Sequence, residues 1–164
     1  MKKTSVTFIT QGAMIAALYV VLCVAFAPIS YGEVQLRVAE ALTILPYFTP
    51  AAIPGLFIGC IISNLMGGGI MLDVIFGSLA TLIGAVGTYM LRKATPWVAP
   101  LPPIAANALI VPFVLYYGYA VPLPIPFMML TVGAGEVLGC GILGLVLLFA
   151  IKKAGAKKVL GQAG

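Results

Sequence analysis

The chain has 164 residues, 62% of them apolar and 8% charged, with no histidine and a net charge of +5. Soluble domains carry roughly 45–50% apolar and about 25% charged residues, so the few charges here cannot clothe a soluble surface and the chain reads as a polytopic membrane protein. A histidine-ligated metal and a histidine general base are excluded. Cys23, Cys60 and Cys140 stand far apart in apolar runs, so no metal site, cofactor or disulfide framework is expected and each reads as a small buried apolar residue.

Lys2 and Lys3 open the chain, and an apolar run over about 6–27 follows. It is longer than the roughly 7–15-residue core of a signal peptide, and Pro28 stands directly after the cleavage-like Ala25-Phe26-Ala27. It reads as a retained first helix. The other basic groups are Arg92 with Lys93, and Lys152, Lys153, Lys157 and Lys158; by the positive-inside rule the N-terminus, the 92–93 loop and the C-terminus are cytoplasmic. An even number of crossings therefore separates successive groups. Segments at about 72–91, 98–118 and 127–151 are clean spans. The stretch 34–66 is interrupted by Pro46, Pro50 and Pro54 and falls short of the about 40 residues that two spans need. It is expected to form two short helices, about 34–49 and 51–66, or a re-entrant hairpin. The expected fold is a single all-α membrane domain over 1–164, a bundle of about six transmembrane helices. Trp97 reads as an interfacial anchor and Gly67-Gly68-Gly69 as a flexible outer loop. The C-terminal lysines suit lipid headgroups and, with no aromatic residue interleaved, not nucleic acid.

Five charges remain inside the apolar body: Glu33, Arg37, Glu40, Asp73 and Glu136. Each costs roughly 2.5–3.5 kcal/mol at a span centre, so such groups pair, reach water or serve a ligand. Glu33, Arg37 and Glu40 are spaced i, i+4, i+7 and share one face if the segment is α-helical. That face is either a salt-bridge stripe or the polar wall of a pocket. Asp73 and Asn64 flank the glycine loop, as helix-end caps or as site residues. Glu136 sits about 14 Å below the outer end of the last segment, too deep for a cap. Asn107 lies at similar depth in the fifth segment, and Tyr116 and Tyr117 end that segment as an aromatic belt or as part of the site. These groups concentrate in the outer half and suggest a cup open to the outside, suited to a small, flat, hydrogen-bonding molecule. With no nucleotide-binding loop and no inverted repeat, the chain lacks a motor of its own, which suggests a subunit. Ala13 and Ala17 form a small-residue pair that allows close approach by another helix. Gly77, Ala80 and Gly84, and Gly135 with Gly139, are further small stripes.

The string Tyr31-Gly32-Glu33-Val34-Gln35-Leu36-Arg37-Val38-Ala39-Glu40-Ala41-Leu42 resembles the substrate-binding (S) components of energy-coupling factor transporters, and among them the QueT family. Leu45-Pro46-Tyr47-Phe48-Thr49-Pro50, Gly55 to Cys60, Ser63-Asn64-Leu65 and Asp73 before Phe76-Gly77-Ser78 extend the likeness. The resemblance implies a non-enzymatic subunit of the bacterial cell membrane that captures a queuosine precursor (7-deazaguanine, queuine or queuosine) in an outward-facing pocket. It implies release inside after docking, through Ala13 and Ala17, on a transmembrane coupling (T) subunit with two ABC ATPases. A 7-deazaguanine offers donors to a carboxylate, an oxygen to a donor and a flat ring to tyrosine. On that basis Glu136 or Asp73 is expected at the pairing edge, Arg37 and Asn107 at the carbonyl, and Glu33 or Glu40 at a cationic arm. An S component for another vitamin, a self-sufficient carrier and a scaffold subunit are the alternatives; no nucleophile–base pair supports an intramembrane enzyme.

Overall fold

A computed structural model describes residues 3–30 and 37–155, with side chains from 6 to 28 and from 37 to 155. Glu33 and the string 31–36, with Lys2, Lys157 and Lys158, lie outside the described residues. The chain folds as α1 (Lys3–Ala25), a single turn α2 (Ala27–Ser30), a 3₁₀ helix (Val38–Tyr47), α3 (Ala52–Met66), α4 (Met71–Met90), α5 (Leu101–Tyr117), α6 (Ile125–Glu136), a π-helical stretch (Val137–Leu143) and α7 (Gly144–Lys153). Two short 3₁₀ turns, Leu91–Lys93 and Pro96–Val98, join α4 to α5. Among the described residues four stretches are long and apolar enough to cross a membrane: Val6–Ala25, Met71–Lys93, Pro96–Tyr117 and Ile125–Lys153. The protein is an all-α, multi-pass membrane protein.

The first apolar run forms α1. Its outer face, with Ile9, Met14, Leu18 and Val21, is exposed and suits lipid. Its other face packs on α3. Within a bilayer, helices are held by close packing and internal hydrogen bonds rather than by exclusion from water. Gly55 shows how close the approach is: a Cβ there would lie 2.6 Å from the main-chain oxygen of Gly12.

The proline-interrupted stretch becomes two short helices. The first, Val38–Tyr47, winds as a 3₁₀ helix, is about 20 Å long at 2.0 Å rise, and is buried from Ala39 to Pro46. It starts beside Asp73 at the head of α4 and ends where Lys152 donates to the Tyr47 hydroxyl (3.3 Å). The connecting turn is buried: Thr49 is fully inaccessible and donates to Gln11 Oε1 of α1 (3.0 Å). From there α3 returns alongside α1.

The core divides along this central helix. Ala39, Leu42 and Leu45 pack with Tyr19, Leu56 and Cys60, while Ile44 and Phe48 pack with Ala99 and Leu148. A separate cluster, Val111, Leu115, Met128 and Val132, joins α5 to α6. Basic residues finish the opposite end. Arg92 donates to the Tyr89 carbonyl (2.7 Å) and lies 3.6 Å over its ring, and Trp97 packs against Phe149 with ring centroids 5.3 Å apart.

Candidate functional site

The buried polar residues gather around the first half of the 3₁₀ helix. Arg37 immediately precedes it in extended backbone (φ −85°, ψ 98°). A helix with three residues per turn stacks positions i and i+3. The polar line therefore runs through Arg37, Glu40 and Thr43; it keeps Arg37 and Glu40 of the expected face and adds Thr43, while Glu33 lies outside the described residues.

The line touches two groups of partners. Arg37 reaches Asp73 in the first turn of α4, NH2 to Oδ2 3.7 Å, with both side chains almost fully buried. Asp73 Oδ2 also accepts from the Tyr119 hydroxyl (3.1 Å), and the Asp73 main-chain oxygen accepts from Asn64 Nδ2 (3.2 Å). Tyr119 in turn accepts from the amide of Ile70 (3.3 Å), which ties the glycine loop to the segment after α5. Burial, and then the Asp73 carboxylate, push the Tyr119 phenol above its ordinary value, so it stays protonated and keeps donating. Gly77 leaves room for this arrangement: a Cβ there would meet Asp73 Oδ1 at 2.9 Å and Asn64 Nδ2 at 3.2 Å.

Deeper along the line, Glu40 Oε1 accepts a hydrogen bond from the buried Tyr19 hydroxyl. Thr43 donates to the Glu40 carbonyl (2.5 Å) and contacts Cys140 Sγ (3.3 Å). Cys140 lies 3.0 Å from Glu136 Oε2 and donates to it. The π-helical stretch begins directly after Glu136 and carries Cys140 at its centre, and this stretch and α7 pack on the 3₁₀ helix. Asn107 of α5 faces Glu136, yet its Nδ2 makes no well-formed hydrogen bond.

Several buried atoms have no hydrogen-bond partner among the described residues: Nε and NH2 of Arg37, Glu40 Oε2, Asn64 Oδ1, Asp73 Oδ1, Ser78 Oγ and Asn107 Nδ2. Each such group costs about 1–3 kcal/mol. Concentrated in one place, with donors and acceptors mixed, they leave hydrogen-bonding capacity that a packed core normally fills. Glu40, Glu136 and Cys140 also bring three ligating atoms within 4.8 Å of one another. The Arg37 guanidinium acts on the same two acids and opposes a divalent cation there.

The structure thus brings together Arg37, Glu40, Asn64, Asp73, Asn107 and Glu136. Tyr116 does not join them. It is 43% exposed and stacks edge-on against Tyr117, with centroids 5.0 Å apart. The aromatic that does join is Tyr119, because α5 ends at Tyr117 and the chain turns back through Ala120 at φ 50°. Tyr19, Thr43, Cys60, Thr81 and Cys140 were not expected from the sequence. The apolar reading of the cysteines holds for Cys23, which is packed in the core. Cys60 lies in the same core and also accepts from Thr81 (3.4 Å) and Asn64 (3.7 Å); Cys140 is buried too, but it touches both glutamates. Their placement was recoverable, since Cys140 follows Glu136 by one helical turn and Asn64 follows Cys60 likewise.

Two grooves open on the outside of the bundle, and both are apolar. One, of about 670 Å³, lies between α1 and α3 and is lined by Phe8, Ala13, Ala17, Val20, Ile58 and Ile62 among others. There Gly12 and Ala16 turn inward to α3 while Ala13 and Ala17 stay exposed. The second, of about 500 Å³, lies between α4 and α5.

A curated protein of Lactococcus lactis subsp. cremoris (strain MG1363), "Queuosine precursor transporter QueT", is 41% identical to the chain over 85 residues. That alignment covers 51% of the chain and about half the length of the relative. No solved structure matches the chain. The family model described as QueT transporter matches residues 9–153, nearly all of the described bundle and every site residue in it, and so the chain belongs to the QueT transporter family.

Proposed function

We propose that the chain is the substrate-capture subunit of an energy-coupling factor importer and that it binds a queuosine precursor. The observation that carries this is the buried cluster of mixed, unpartnered donors and acceptors around Arg37, Asn64, Asp73 and Asn107. A 7-deazaguanine ring presents adjacent N–H donors, which a carboxylate accepts in bidentate fashion, and a carbonyl oxygen, which a guanidinium or amide satisfies. On this reading Asp73 takes the pairing edge while Arg37 and Asn107 serve the carbonyl. The sequence carries no nucleotide-binding loop, and on this reading the energy comes from partner ATPases. The α1–α3 groove, with Ala13 and Ala17 exposed in an apolar surface, is the face offered to a transmembrane coupling subunit.

Access to the cluster is closed by the bonds that join Ile70, Tyr119 and Asp73. Opening the outer end separates the glycine loop from the segment after α5, admits the ligand and re-forms the same bonds over it. Calorimetry on the purified chain, without partners, tests the reading. Saturable one-to-one binding of queuine or a 7-deazaguanine precursor, with guanine bound far more weakly, is expected. No binding of any deazapurine to folded protein would refute it and shift weight to another vitamin or to a scaffold role.

A further inference from the structure

The surroundings of Asn64 fix which way its amide faces. The residue is fully inaccessible near the end of α3. Its Nδ2 donates to the Asp73 main-chain oxygen (3.2 Å) and to Cys60 Sγ (3.7 Å), which uses both of its hydrogens. Turned over, the amide would set its oxygen against that main-chain oxygen, two acceptors with no proton between them. Oδ1 therefore faces elsewhere, and among the described residues nothing donates to it. The donors of the adjoining loop are spent. The amides of Gly67, Gly68 and Gly69 go to the main-chain oxygens of Ser63, Leu65 and Asn64, the Ile70 amide goes to Tyr119, and the Tyr119 hydroxyl goes to Asp73 Oδ2. Arg37 faces that same carboxylate oxygen. Asp73 Oδ1 has no partner either. Both side chains lie against one point of α4, since a Cβ on Gly77 would meet Asp73 Oδ1 at 2.9 Å and Asn64 Nδ2 at 3.2 Å. A buried carboxylate oxygen and a buried amide oxygen, neighbours and both open, call for a group with more than one N–H.

On the deazaguanine reading above, Asp73 accepts the ring N–H and one N–H of the neighbouring exocyclic amino group. That amino group has a second N–H, directed away from the first, which the same carboxylate cannot take. We propose that Asn64 Oδ1 accepts this second N–H, which makes Asn64 a specificity-determining residue: the transporter selects rings with a free amino group over the same rings with that group blocked or missing. This rests on the deazaguanine reading and goes past it, because the amino group gains a reader of its own. Without the amino group Asn64 Oδ1 stays buried and unpaired, so the discrimination comes from the cost of leaving it so. The donors that hold Nδ2 in place are what keep the amide from turning to suit another ligand.

Three probes test the assignment. 7-Deazaguanine has both amino N–H groups. Its 2-methylamino analogue keeps the one that Asp73 takes and turns a methyl group to Asn64, and 7-deazahypoxanthine has neither. Calorimetry on the detergent-solubilised full chain is expected to show 7-deazaguanine binding about tenfold more tightly than the methylamino analogue and about 100-fold more tightly than 7-deazahypoxanthine, as buried groups left unpaired require. In the Asn64→Leu chain, checked for its unfolding temperature, 7-deazaguanine and the methylamino analogue are expected to come within about threefold of one another. Equal affinities for these two in the unmodified chain would overturn the role of Asn64, whether or not the variant folds, and leave the deazaguanine reading intact. So would a folded Asn64→Leu chain that weakens the two alike, which is what a merely structural residue would do. Binding of none of the three probes would overturn both.

Discussion

The two ends of one ten-residue 3₁₀ helix lead different lives. From Ile44 onward its side chains meet Phe48, Ala99 and Leu148, every group is packed, and Tyr47 closes the end against Lys152, whose Nζ stands 4.9 Å from its ring centre. From Arg37 to Thr43 its side chains meet carboxylates, amides and thiols, and several polar atoms find no partner. Both ends are equally buried. Burial therefore does not distinguish structure from function in this bundle; satisfaction does. The packed end lowers the energy of the fold, and the polar end raises it; on the proposed reading a ligand supplies what is missing.

Truncation at the packed end should cost the most in stability. Leu148→Ala, at a site with no accessible surface, is expected to lose about 2–5 kcal/mol while the surviving folded protein keeps its ligand selectivity; detergent-based thermal unfolding with parallel calorimetry reads both. At the polar end the ranking reverses. Asn107→Leu is expected to weaken ligand binding about tenfold while lowering the unfolding temperature little, because the buried Nδ2 it removes has no partner and costs free energy where it stands. An unfolding temperature that collapses together with binding would erase the contrast between the two ends. Tyr19→Phe strips Glu40 Oε1 of the Tyr19 donor and should cost about 1–3 kcal/mol, since Tyr19 belongs to the core and to the site at once.

A smaller effect is expected at the outer closure. Tyr119→Phe removes the bonds to Asp73 and to the Ile70 amide and should cost about 0.5–1.5 kcal/mol of stability. Stopped-flow measurements should show ligand association and dissociation both accelerated. At the bottom of the scale, Ala13→Leu and Ala17→Leu on the exposed side of α1 should leave stability within about 0.5 kcal/mol and ligand binding unchanged. If the α1–α3 groove receives a coupling subunit, the same substitutions abolish co-purification with it.

The spans were legible because a charge-free run of twenty residues has few other uses, and the basic groups located their ends. The shortness of the Val38–Tyr47 and Ala52–Met66 pair was legible from Pro46, Pro50 and Pro54. Its winding was not. A 3.6-residue period fitted Glu33, Arg37 and Glu40 so well that it hid the three-residue period, which would have added Thr43. The acids and amides of the cluster were visible because polar groups are costly in a membrane and stand out in its apolar runs. Tyr19, Cys60 and Cys140 were hidden because tyrosine and cysteine pass as apolar residues in such a run, and only the neighbours they meet reveal their polar ends. The end of α5 was legible to within a residue, but the turn through Ala120 that brings the Tyr119 hydroxyl to Asp73 was not.

The 3₁₀ helix is tethered at both tips, to Asp73 through Arg37 and to Lys152 through Tyr47. Wound as an α-helix, the same ten residues would measure about 15 Å instead of about 20 Å. They would then fall short of one tether or the other. The tight winding thus acts as a ruler: it holds the buried carboxylate cluster at a set distance from the lysine-rich end, and cutting either tether lets the gauge slip.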